Sequence, residues 1–220
     1  MPIKDTVIVR LLGQQDYLSC WHRMKQFTSQ RSEQSIDEVW LLEHPPVFTQ
    51  GQNGQAKHIL DPQDIPVIHT DRGGQVTYHG PGQLIVYTLI DLYRKKLSIR
   101  DIVTQLENTA IALLAQYQIN AFAKRKAPGV YVKMDTDEKK IASIGLRVRH
   151  GRSYHGLALN VNMNLAPYAQ INPCGYANLG VTQLADLKND KIDTIGVGLQ
   201  LINILNVNLG YTQSVSLLGV

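Results

Sequence analysis

Six short apolar runs dominate the chain: VWLLE at 39–43, PVIHT at 66–70, LIVYTLI at 84–90, GVYVK at 129–133, KIASIGLRV at 140–148 and HGLALNVN at 155–162. They are of strand length, rich in β-branched residues, and bounded by Gly, Pro, Asn, Asp or charged stretches. A seventh, TVIVRLL at 6–12, lies near the start. The runs arrive in clusters, with DTDE at 135–138 and RHGRSY at 149–154 as hairpin turns, so strict alternation of strand and helix does not fit. The expected class is α+β, with a mixed, mainly antiparallel sheet flanked by helices.

Three segments carry helical spacing instead. Tyr17, Trp21, Met24 and Phe27 share one face, and Ile102, Leu106, Ala110, Leu113 and Tyr117 form a second stripe behind a Ser98/Asp101 capping box. A third helix is expected over 194–208, through Val197, Leu201 and Leu205. With 220 residues, 44% of them hydrophobic, and no repeat or long linker, the chain reads as one domain over 1–220. The N-terminal apolar run is broken by Arg10 and lacks a small-residue cleavage site, so no secretory signal is expected. Leu84–Ile90 is too short to span a bilayer. Two cysteines, Cys20 and Cys174, supply neither a disulfide framework nor paired zinc spacing, and they suit a reducing cytoplasm. No metal site is expected.

The segment Arg72–Gln83, RGGQVTYHGPGQ, holds four glycines and a proline between apolar runs. Such glycine density lets backbone approach a ligand closely or present amide donors to an oxygen, with Arg72 and His79 as fixed polar contacts. A plain glycine-rich hairpin with a structural His79 is the other reading, and the spacing does not separate the two. The Gly-Lys-Ser/Thr ending of a phosphate loop is missing.

Cys174 stands between Pro173 and Gly175 in INPCGY, a loop setting that favours an accessible thiol, whereas Cys20 sits beside Trp21 on a packed helix. A nucleophilic cysteine needs a group to hold or take its proton. His79, His155 and Lys140 are the candidates, Lys140 because it opens the small-residue apolar strand KIASIG. The plainer reading of Lys133, Lys139 and Lys140 is a solvated hairpin tip around an acidic turn.

RGGQVTYHGPGQ at 72–83, KIASIG at 140–145, HGLALNV at 155–161 and Pro-Cys-Gly at 173–175 together resemble the lipoyl(octanoyl) transferase family. EHPPVFTQG at 43–51 also resembles that family's early Pro-Pro loop. The likeness spans about residues 38–184. It implies a biotin/lipoate protein ligase-like fold, with Cys174 carrying an acyl-thioester and Lys140 tuning it. It further implies a substrate pocket lined by Arg72, Gly73, Gly74, Gln75, Val76, Thr77, Tyr78 and His79, by Ser143, Ile144 and Gly145, and by Gly156, Leu157 and Ala158. The implied donor is octanoyl-acyl carrier protein, and the implied acceptors are lipoyl domains of 2-oxoacid dehydrogenase and glycine cleavage complexes. No cofactor, nucleic acid or membrane is implied.

An ATP-dependent lipoate or biotin ligase would share such a fold without needing a thiol at Cys174. A basic nucleic-acid-binding module would rest on the runs at 124–126 and 147–152, but short basic runs are ordinarily solvated faces. The net charge of +4 is supplied unevenly by stretches at 94–96, 124–126 and 147–152. The last of these, leading from one pocket strand to the next, is the expected docking surface for an acidic carrier.

Overall fold

The computed structural model describes residues 3–134, 137–175 and 179–219, the side chains of Ile3 and Cys174 excepted. In chain order the elements are β1 (Thr6–Gln14), α1 (Tyr17–Gln30), β2 (Asp37–Glu43), β3 (Val47–Gln50), β4 (Val67–His69), β5 (Val76–His79) and β6 (Gln83–Leu89). Then come α2 (Leu92–Lys95), α3 (Ile99–Gln116), β7 (Ala121–Ala123), β8 (Gly129–Met134), β9 (Asp137–Arg149) and β10 (Arg152–Asn160). The last are α4 (Leu184–Lys188), α5 (Thr194–Asn208) and β11 (Gln213–Leu218).

Eight strands form one sheet in the order β11-β1-β2-β6-β10-β9-β8-β7, and β4-β3-β5 form a second. In the large sheet β1 runs parallel to β11 and β2, and every other pairing is antiparallel. The expected mixed, mainly antiparallel α+β class is therefore the observed one. Of the two expected hairpin turns, 149–154 closes β9 onto β10 through His150 and Gly151, both at positive φ. In the other, Asp135 and Thr136 lie outside the described residues.

Alternation along the central strands sorts side chains to the two faces. Leu84 and Val86 of β6, Val39 and Leu41 of β2, and Leu157 and Leu159 of β10 pack beneath α3 and α5. Ile85, Tyr87 and Leu89, with Trp40, Leu42 and Ala158, pack on the opposite face against Cys20 and Met24 of α1. Because both faces are covered, these strands read as continuous apolar runs. The helix α3 begins at the expected capping box, in which Ser98 accepts from the Asp101 amide and Asp101 from the Ser98 amide. No described helix is long and apolar enough to cross a membrane.

A buried carboxylate ties several elements to the start of β2. Asp37 Oδ1 accepts from Arg31 Nη2 at 2.5 Å, Arg94 Nη2 at 2.6 Å and the Asp91 amide at 2.8 Å, while Oδ2 accepts from the Tyr211 hydroxyl at 2.7 Å. The Asp37 side chain is fully enclosed, so its removal strands Arg31, itself fully buried, without a counter-charge. Asp37→Ala is expected to cost about 3–5 kcal/mol, the range for breaking a buried pair from one side. Urea unfolding at neutral pH measures it, with the loss expected in the midpoint rather than the slope.

Candidate active site

A pocket opens on the α1 face of the large sheet, where the segment after Asp71 crosses from the small sheet over β9. The crossing is tight. Gly73 N–H donates to Leu146 O at 2.9 Å, and a Cβ built on Gly145 would lie 3.0 Å from Gly73 O and 3.2 Å from Arg72 Cδ. A side chain at 145 would require the loop to give by a few tenths of an ångström.

Arg72 fixes that loop from inside. Its Nη2 donates to Thr49 O at 2.5 Å and Gln75 O at 2.8 Å, its Nη1 to Gly73 O at 2.9 Å, and its Nε to Thr49 Oγ1 at 3.1 Å. A polar relay continues from there. Since His79 Nδ1 faces the acceptor Gln83 Oε1 at 2.7 Å, it carries the proton, and Nε2 accepts from Thr49 Oγ1 at 3.1 Å. Gln83 Nε2 in turn donates to Asn160 Oδ1 at 2.9 Å. Both ring nitrogens of His79 are thus committed, and the ring is a structural link as well as a pocket wall. It is not placed as the cysteine's proton partner.

Lys140 is 3% exposed, far from a solvated hairpin tip. Its Nζ donates to Pro128 O at 3.0 Å and lies 5.3 Å from the centre of the Tyr131 ring. Two features place it there. The β8/β9 register slips by one residue between Val130↔Ala142 and Tyr131↔Lys140, which leaves Ile141 as a bulge. Strict alternation from Ser143 would send Ile141 to the pocket and Lys140 to the core; the bulge sends Ile141 into the core with Ala142 and turns Lys140 to the pocket. The second feature is Gly129, at φ +134°, where a Cβ would lie 2.5 Å from Lys140 Cε. Lys139, one residue earlier, packs against Gly180 instead.

The pocket encloses about 50 Å³, room for roughly four waters. Of the expected lining residues it gathers Arg72, Gly74, Gln75, Val76, Thr77 and His79, all three of Ser143, Ile144 and Gly145, and all three of Gly156, Leu157 and Ala158, with Lys140 at one end. Gly73 and Tyr78 are not among them. Gly73 lines an adjoining groove, and Tyr78, by strand alternation, points the other way to pack on Phe48 and Tyr168. The Cys174 side chain lies outside the described residues, but its backbone belongs to a single 3-10 turn, Pro173–Gly175. That turn rests on the pocket wall, since a Cβ on Gly175 would lie 3.3 Å from the Gln75 side chain.

The lipoyl protein ligase A/B catalytic domain family matches residues 16–205. An octanoyltransferase of Shewanella sp. (strain MR-7) is 56% identical over 214 residues, 97% of this chain and 96% of that protein. The chain belongs to the octanoyltransferase family. Solved structures carry the same fold at low identity. A bi-partite lipoate protein ligase from Thermoplasma acidophilum aligns with a TM-score of 0.75 at 14% identity, over 96% of this chain and 88% of that one. A lipoate-protein ligase A bound with ATP aligns at 0.69 and 17%, over 94% and 88%.

In this octanoyltransferase-family chain, sequence reasoning missed Tyr17, Ile85 and Tyr87 at the far end of the pocket, and named His155 only as a proton partner for the cysteine, whereas it closes the same end and turns its Nε2 to Asp71. Behind it His44 Nδ1 donates to Gln15 O at 2.6 Å and its Nε2 accepts from the Tyr87 hydroxyl at 2.7 Å. His155, in the left-handed region at φ +61°, donates from Nε2 to Asp71 Oδ1 at 3.0 Å, and Asp71 also accepts from Trp21 Nε1 and the Tyr154 hydroxyl. A positive φ at a histidine within a strand is the backbone mark of this corner. Tyr17 and Trp21 were legible only as helix-face hydrophobes.

Burial sets the charge of these groups. It pushes His44 down to about 4, lowers His79 well below its ordinary value, and lowers His155 despite the opposing Asp71 bond. Asp71 is resisted by burial, but bonds from His155 and Tyr154 hold it well below the usual carboxylate range. The unfolded chain therefore binds more protons than the folded one once pH falls below the free histidine value near 6.5. Stability is expected to decline from about pH 6.5 towards pH 4, by up to about 1.4 kcal/mol per pH unit for each histidine. The Asp71 contribution is lost only below about pH 4. Urea midpoints at pH 7, 6 and 5 test this, and His44→Gln should flatten the slope even as it lowers overall stability.

Proposed function

We propose that this chain, acting as a single cytoplasmic catalytic domain over residues 1–220, transfers an octanoyl group from acyl carrier protein to a lysine of lipoyl domains through a Cys174 acyl-thioester. The observation that carries the reading is Lys140, drawn by the β9 bulge out of an expected hairpin tip and into the pocket on whose Gln75 wall the Pro173–Gly175 turn rests. An acyl chain would lie against Val76, Thr77 and Ile144 and between the strands at Gly145 and Gly156, its far end towards Tyr17 and Tyr87.

The chemistry balances with these groups. Cys174 Sγ attacks the thioester carbonyl, the new C–S bond forms, and the donor C–S bond breaks with its electron pair leaving on the donor sulfur. Lys140 takes the Cys174 proton and delivers it to the departing thiolate. In the second half the acceptor amine attacks the same carbon, the N–C bond forms, the C–Sγ bond breaks, and Lys140 carries the amine proton back to sulfur. Thioester exchange is close to isoenergetic and the amide is more stable, so the balance requires no nucleotide. Of the backbone amides that could hold the oxyanion, those of Gly73 and Gly175 are engaged with Leu146 O and Asn172 O. Gly74 N–H makes no hydrogen bond among the described residues and is the proposed donor. The acceptors fitting this product are lipoyl domains of 2-oxoacid dehydrogenase and glycine cleavage complexes.

Intact-mass analysis after mixing with octanoyl-carrier protein should find one octanoyl group, mapping to Cys174 and not Cys20. Cys174→Ala should abolish the adduct and lower transfer to a lipoyl domain by roughly 10³-fold or more. Lys140→Ala should lower it by about 10²–10⁴-fold and move the alkylation profile of Cys174 to higher pH, while Lys139→Ala leaves both near normal. An adduct elsewhere, or normal transfer by Cys174→Ala, would remove the covalent mechanism.

A further inference from the structure

A thioester has two sides, and two depressions meet at Lys140. One is the smaller pocket described above. The other is a groove of about 360 Å³ that shares Gly74, Gln75, Lys140, Ile144 and Gly145 with the pocket and passes Asn53, Gly73, Ala127 and Leu146. The groove continues past Ile99, Val103 and Pro128 into a further depression lined by Arg100, Lys124 and Arg125, with Lys126 at the junction. Ile99 is 57% exposed at the start of α3, an uncovered apolar wall beside polar Asn53.

The charge at the distal end is biased. Glu107 lines the distal depression as well, its Oε1 accepting the Gly129 amide at 3.0 Å; Asp101 caps α3 and Glu138 is paired with Lys124, so the basic side chains of Arg100, Lys124, Arg125 and Lys126 face three carboxylates there. Arg100, Arg125 and Lys126 remain exposed at the groove's end. The stretch expected to dock the carrier borders the other end of the groove: Arg147 follows the lining residue Leu146, and its Nη1 donates to Gln52 Oε1 at 2.8 Å. Arg149 and Arg152 lie beyond it at the β9–β10 turn, where Arg152 Nε lies 3.7 Å from Asp91, and Arg149 is on the order of 30 Å from Lys140 at about 3.3 Å per residue.

We propose that this groove takes the thiol-side arm of the donor, a long amide-bearing chain ending in a phosphate linked to an acidic carrier protein, with Arg125, Lys126 and Arg100 meeting the phosphate. The proposal rests on the transferase reading and adds where the leaving half of the thioester lies. While the acyl chain lies in the smaller pocket, the arm leaves Lys140 past Pro128, Ile99 and Val103, with its sulfur at Lys140 and its phosphate at Arg100 and the 124–126 run. Carrier docking thereby moves from the 147–152 turn to the 124–126 run.

The test compares three donors, octanoyl-pantetheine, octanoyl-4′-phosphopantetheine and octanoyl-carrier protein, in the unaltered chain, in Arg125→Glu/Lys126→Glu and in Arg149→Glu/Arg152→Glu. In the unaltered chain the phosphorylated arm should have the higher kcat/KM. Arg125→Glu/Lys126→Glu should cut the ratio of phosphorylated to unphosphorylated donor about tenfold and lower the carrier-protein rate at least as much, with added salt weakening the unaltered chain more than the variant. Arg149→Glu/Arg152→Glu should match the unaltered chain on all three. An unchanged phosphate ratio would overturn the assignment, as would a carrier-specific loss in the 149/152 variant. Saturable ATP binding that competes with octanoyl-4′-phosphopantetheine would give the groove to a nucleotide instead. No turnover of any octanoyl thioester by the unaltered, folded chain would overturn the transferase reading itself, whereas turnover without the charge effect overturns only the groove.

Discussion

Arg72 brings a full positive charge to a position that is 8% exposed, and oxygens of its own loop and of β3 surround its guanidinium. Burying a charge is costly unless its donors are satisfied, and charge-assisted bonds to carbonyls are among the stronger ones available. The geometry is correspondingly strict: the carbonyls of Thr49, Gly73 and Gln75 must all turn inward, which fixes the glycine loop against β3. Through Thr49 the same side chain orients His79, and through His79 and Gln83 the small sheet is joined to β6 and β10 of the large one. The pocket lies between the two sheets because this polar seam holds them in register.

The seam also explains how a pocket with so many polar residues can suit an apolar chain. Each imidazole near its far end directs both nitrogens, or the one the geometry defines, away into the protein: His44 to Gln15 and Tyr87, His79 to Thr49 and Gln83, His155 to Asp71. What remains towards the cavity is ring face and ring edge. Burial keeps the three rings uncharged at neutral pH, so an octanoyl chain would meet satisfied neutral groups and displace little bound solvent. The fixed negative charge of Asp71 stands behind His155, Tyr154 and Trp21.

Much of this was legible in the sequence, and the failures have physical causes. The long apolar runs and the three amphipathic helices were visible because their side chains are sorted by burial, and α5 spans Thr194–Asn208 as expected. β11 was missed because its residues are exposed throughout, so no alternation between core and solvent was written into QSVSLL. β5 was hidden inside the glycine segment; Val76–His79 is buried on both sides and shows no period, and only pairing with β3 makes it a strand. At the site, residues within the glycine loop and on β9 and β10 could be named because they are local in sequence. Tyr17 and Tyr87 could not, because a tyrosine on an apolar stripe looks the same whether its ring meets the core or a cavity. His44 was hidden for the related reason that its partners, Gln15 and Tyr87, are distant in sequence.

Lys140 marks the limit of period-two reasoning. Parity along KIASIG, counted back from Ser143 and Gly145 in the pocket, assigns Ile141 to the pocket and Lys140 to the apolar core, where an ammonium would have no acceptor. The chain resolves this conflict with one extra residue on β9, and the slip between Val130 and Tyr131 reverses the parity for everything N-terminal to it. Both hydrophobes then enter the core, and the lysine turns to Pro128 O in the room left by Gly129. Nothing in the composition of the strand specifies the bulge. It follows from β8 and β9 having to satisfy two demands at once, apolar residues under α3 and a lysine on the opposite face, which an unbroken two-residue repeat cannot meet.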